Sequence, residues 1–120
     1  MLSELRRLWH RAPVPSPVHW PDPTSAPLGF ERVCWGMAAG DLPDIARGSC
    51  FGAPVAISYT FELERLVLVR LAGPIGLPPD SLGSQAFAQS DEGYYTRDQD
   101  GTRMVVDVLD QVVLLMEIDD

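Results

Sequence analysis

The chain has no lysine and no asparagine, only two cysteines and two histidines, and no long uninterrupted apolar run. Each absence narrows the choices. A membrane-spanning helix needs roughly 20 consecutive apolar residues, and nothing in the sequence approaches that. A scaffold built on disulfides is excluded by the scarcity of cysteine, and a chain of 120 residues does not need one. A domain of that size buries about two thirds of the surface its unfolded chain exposes. Spacing alone leaves open whether Cys34 and Cys50 pair, because pairing is decided by Cα separation; free buried thiols acting as small hydrophobes are expected. The start, "MLSELRRLWHRAPVP", lacks the apolar stretch of about 7–15 residues that marks a secretory signal, so a cytoplasmic protein is expected. All nine bases are arginine, and the missing lysine and asparagine read as coding bias rather than mechanism.

What the sequence does have is negative charge. Seventeen acids against nine bases give a net charge of −8. Residues 91 to 120 hold nine of those acids (Asp91, Glu92, Asp98, Asp100, Asp107, Asp110, Glu117, Asp119, Asp120) against Arg97 and Arg103, or −7 in one quarter of the chain. Such a field repels phosphate backbones and anionic lipid, so neither nucleic acid nor membrane is an expected partner, and a basic protein is. An acidic surface also serves solubility alone.

Three segments differ in composition. Residues 1–12 read as a short helical arm, with Ser3 as N-cap and Leu2, Leu5, Leu8 and Trp9 near one face. Six prolines fall between Pro13 and Pro27, which makes 13–28 an extended Pro-rich strap pinned by Val18 and Trp20. Residues 29–120 then show short apolar runs: "FERVCWGM" (30–37), "APVAISYTF" (53–61) with a period of two, and "RLVLVRLAG" (65–73), the last two joined as a hairpin. Asp80 is a possible N-cap for a helical turn or two reaching Phe87. Residues 94–97, 102–108 and 112–118 read as a three-stranded meander, their valines favouring strand over a competing helical pattern. The expected fold is α+β, a single small domain with an antiparallel sheet of about five strands, a short N-terminal helix and the strap.

Gly48-Ser49-Cys50-Phe51-Gly52 has the spacing of a nucleophile elbow, which makes Cys50 the one weak catalytic candidate. Its context is wrong for that motif, since a polar turn precedes it and an alternating strand follows. His10 and His19, the only bases to serve it, belong to the arm and strap. A zinc site from His10, His19, Cys34 and Cys50 lacks any close ligand pair, so no metal is expected. "DQDG" supplies Asp98 and Asp100 but not the other ligands of a calcium loop, and Asp-Gly suits a hairpin turn. Asp41 and Asp44 in "GDLPD" read as caps. No phosphate-binding loop or dinucleotide fingerprint is present, and no cofactor is implied.

These features point to a binding protein rather than an enzyme. The leading expectation is an immunity or antitoxin-type inhibitor that neutralises a basic toxin by direct contact, either monomer or homodimer. Its expected contact residues are Asp91, Glu92, Tyr94, Tyr95, Asp98 and Asp100, acids flanking a pair of tyrosines. A secretion chaperone, or a small cysteine-dependent hydrolase using Cys50, are the alternatives.

Overall fold

The period-two run at 53–61 forms a strand whose alternate residues Val55 and Ile57 are buried while Ala56, Ser58 and Thr60 face solvent. In this computed structural model, which describes residues 16–22, 24–73, 87–91 and 93–118, it is β2 (Ala53–Glu62) of seven strands. The others are β1 (Arg47–Cys50), β3 (Arg65–Ala72), β4 (Ala88–Asp91), β5 (Tyr94–Gln99), β6 (Thr102–Asp107) and β7 (Val112–Glu117). All neighbours pair antiparallel, in the order β1-β2-β3-β7-β6-β5-β4.

The α+β expectation is therefore corrected. Among the described residues there is one sheet of seven strands, not five, and no helix of seven or more residues. Only 3-10 turns occur, at Phe30–Arg32 and Ala39–Asp41. The arm at 1–12 and the helical turn begun at Asp80 lie outside the described residues. "FERVCWGM" is not a sheet strand: a 3-10 turn curls its first half, and Cys34 makes one isolated antiparallel bridge to Pro17. The bridge does not extend into a ladder because the Val33 amide, which the next rung would need, donates instead to the Phe30 carbonyl at 2.9 Å inside the 3-10 turn. The strands unforeseen were β1 and β4, whose "RGSC" and "AQSD" carry too few apolar residues to show alternation. Pairing to a strong neighbour creates them, not propensity.

The sheet is rolled. In a flat ladder the edge strands β1 and β4 would lie roughly 29 Å apart at the usual strand spacing. Instead Phe51, in the β1–β2 turn, meets Phe87, just before β4, edge to face with ring centroids 5.9 Å apart. The inner face of the roll carries Val55, Ile57, Val69, Leu71, Met104, Val106, Val113 and Leu115, all buried. Into it the strap inserts Val18 and Trp20, and the segment that follows the strap adds Phe30, Val33 and Trp35. Each such side chain contributes about 1.5–3 kcal/mol by leaving water. Thr102, wholly buried, ties strap to sheet: its hydroxyl accepts from the Trp35 indole N–H at 3.0 Å and from the His19 amide at 3.3 Å.

Candidate functional site

The Gly48–Gly52 stretch resolves into ordinary sheet geometry. Cys50 ends β1, and Phe51 and Gly52 form a two-residue turn into β2, both at positive φ (53° and 80°) as a tight hairpin requires. Gly48 is needed for a different reason: a Cβ there would sit 2.8 Å from Pro27 Cγ and 3.2 Å from the Trp20 ring, so glycine lets the strap press onto β1. No strand-to-helix bend exists to expose the thiol. Cys50 is buried, and burial, reinforced by the Asp22 carboxylate, pushes its thiol up to about 12, the opposite of what a nucleophile needs. Cys34 and Cys50 are both free.

The surroundings of Cys50 are a structural clasp. Burial pushes Asp22 upward, but hydrogen bonds from the Ser25 and Thr24 hydroxyls and the Phe51 and Thr24 amides outweigh it, leaving the carboxyl below its ordinary value. Arg97 turns inward from β5, stacks over Phe87 with its guanidinium 4.7 Å from the ring centroid, and donates to the Pro21 carbonyl at 2.9 Å. Burial pulls that guanidinium below its usual range. One of the two bases in the acidic quarter thus closes the roll.

The acidic residues singled out in the sequence divide between the two ends of β5. Asp91 ends β4 and pairs with Tyr94 at the start of β5; Glu92 lies outside the described residues. Asp98 and Asp100 lie at the other end, and Tyr94 to Asp100 spans about 20 Å at the rise of a strand. Tyr94 and Tyr95 do not form one patch. Adjacent strand residues point to opposite faces, so Tyr94 is exposed beside Asp107 while Tyr95 packs toward the core opposite Val106. Asp98 is held by Arg103 through two bonds of 2.9 and 3.1 Å, and the guanidinium keeps its carboxyl below the ordinary value. Asp100, 81% exposed in its side chain, stands 3.9 Å from His19 Nε2. An open groove of about 830 Å³ runs along β5, lined by Ser90, Thr96, Arg97, Asp98, Gln99 and Arg103.

Two further residues join this surface without having been singled out. The β6–β7 turn lies against the β4–β5 turn, with the Val108 amide bonded to the Gly93 carbonyl at 3.0 Å. Asp107 spends its carboxylate inside the turn, accepting from the Leu109 and Asp110 amides at 3.1 and 3.0 Å. The turn so fixed presents Leu109, 71% exposed and lying over Gly93, the residue before Tyr94, and leaves Asp110 exposed. The signal available in the sequence is the acid after Leu109 in the short link between two apolar runs, but with Val108 before it Leu109 does not stand out from the strands on either side. Among the described residues, no three histidine, cysteine, aspartate or glutamate side chains converge to hold a metal ion. No helix there is long and apolar enough to cross a membrane. No family model, curated protein or solved structure matches the chain.

Proposed function

We propose that this is an acidic binding protein that neutralises a basic protein partner by direct contact, in the manner of an immunity protein or antitoxin. The observation that carries the reading is the combination on β4–β7 of exposed carboxylates, Asp98, Asp100, Asp110 and Glu117, with an exposed apolar pair, Tyr94 and Leu109, on turns fixed by hydrogen bonds. The carboxylates steer a cationic partner and raise its rate of encounter. Tyr94 and Leu109 give the desolvated centre that dominates affinity once contact is made. A standard interface covers about 800 Å² per partner, enough to take in both ends of β5. Because the turns are already ordered, little freedom is lost on docking.

The test is capture from a lysate of the native host with the tagged protein and with an Asp100→Arg/Asp110→Arg variant. A single basic protein held at equimolar ratio by the wild type, and at least tenfold less by the variant, supports the reading. Retention of nothing, of an acidic protein, or of the same protein equally by both forms contradicts it.

A further inference from the structure

The β2–β3 hairpin carries a feature that neither the core nor the acidic surface explains. Its two-residue turn, Leu63-Glu64, has both residues in the left-handed region, at φ 50° and 64°. Two-residue hairpins demand such angles, and sequences normally meet the demand with glycine, asparagine or aspartate because a Cβ is crowded there. The β1–β2 turn uses Phe51-Gly52 and the β5–β6 turn Asp100-Gly101. Leu63-Glu64 uses no such residue at either position. It also places a leucine side chain in water, 95% exposed. A single exposed leucine is ordinary; a leucine held at the tip of a turn whose two residues are both strained is not accounted for by the turn's own geometry.

The hairpin below this turn is not loose. β3 pairs with β7 only over Leu68–Ala72, so the tip projects beyond the end of β7. The segment after the strap, at Gly36 and Met37, takes over the edge that β7 leaves. The Gly36 amide donates to the Leu66 carbonyl and the Leu66 amide to the Met37 carbonyl, each at 3.0 Å. Leu66 is wholly buried at this junction and Phe61 packs against the core. The charges at the tip are sorted too. Arg65 folds back over Gly36, where a Cβ would lie 2.8 Å from its Nη2, while Glu62 and Glu64 remain exposed beside Leu63.

We propose that this tip is a docking knob: Leu63, held out on the braced hairpin between Glu62 and Glu64, inserts into an apolar socket ringed by basic side chains on a partner protein. The inference rests on the binding reading above and extends it to a second contact. Its occupant is a cationic protein because the knob's own flanking groups are carboxylates. Pre-ordering of the tip is what makes a single exposed leucine an effective anchor.

The test places a photo-crosslinking phenylalanine derivative at position 63, at position 94, or at position 28 of the full chain in its host cells. Leu28 is as exposed as Leu63, at 97%, and separates presentation from mere exposure. The expected result is an adduct from position 63 with the same basic protein that position 94 reaches, and none from position 28. The Leu63→Asn/Glu64→Gly variant, which has the residues the turn prefers, then binds that protein at least tenfold more weakly while melting at or above the wild-type temperature. An adduct from 94 but not from 63 overturns the knob and leaves the binding reading standing. An adduct from 63 with an acidic protein overturns both the basic ring and the inhibitor reading. Crosslinking to a second copy of this chain, equal crosslinking at 28, or none anywhere also overturns the proposal.

Discussion

Cys50 shows how a side chain's surroundings decide what a motif can do. Its glycines are explained separately, Gly52 by positive φ and Gly48 by the approach of Trp20 and Pro27. With burial and the Asp22 charge pushing the thiol up to about 12, it is neutral throughout the physiological range. A thiol-reactive probe at pH 7.5 is therefore expected to label Cys34, which is half-buried, well before Cys50. Rapid labelling of Cys50 in the folded protein, followed by mass mapping, would contradict its placement. Asp22 has a consequence for acid stability. Its carboxyl titrates below the ordinary 3.8 in the folded chain, so the native state favours the ionised form. The stability this confers is fully present above the unfolded value and is lost as the pH falls from there through the lower native value. Asp22→Ala should destabilise the protein by about 1–3 kcal/mol at neutral pH, because the Phe51 amide loses its acceptor, and should flatten the decline below pH ~4. Denaturant melts across pH give both numbers.

At the scale of elements, the sequence was most readable where pattern and pairing agree. The alternation of Val55, Ile57 and Tyr59 and the valines of 102–117 identify β2, β6 and β7, and Asp100-Gly101 identifies a hairpin turn. It was least readable where one neighbour imposes the structure. "RGSC" and "AQSD" are strands only because β2 and β5 offer edges, and Leu63-Glu64 is a tight turn without the usual residues. "FERVCWGM" misled in the other sense. Phe30, Val33 and Trp35 are as apolar as a strand, but they serve as a plug in the rolled sheet, and no local pattern separates the two roles. The weight carried by that plug is measurable. Thr102→Val keeps the shape of the side chain but removes the acceptor of the Trp35 indole N–H inside the core. The expected loss is about 1–3 kcal/mol, with a change in tryptophan fluorescence on unfolding, and a neutral substitution would show that Thr102 does not fasten the strap.

For the whole molecule, the charge count foretold a field but not its distribution. Of the acids between 91 and 120, Asp107 is buried in its turn and Asp98 is held by Arg103, while Arg97 points into the roll. Of the residues expected to form a contact surface, Tyr95 faces inward, while Leu109 and Asp110, not singled out in the sequence, are exposed on the β6–β7 turn. Hydrogen bonds from the Asp107 carboxylate and between Val108 and Gly93 fix the turns beside Tyr94, and a rigid acidic surface has a kinetic signature. The most direct test is the association rate of the captured partner, measured by stopped flow from low to physiological ionic strength. A rate that falls at least tenfold across that range, with a weaker dependence for Asp100→Asn/Asp110→Asn, is the predicted result. A rate that stays level as salt rises, or that is unchanged in the variant, would show that this charged surface does not guide binding.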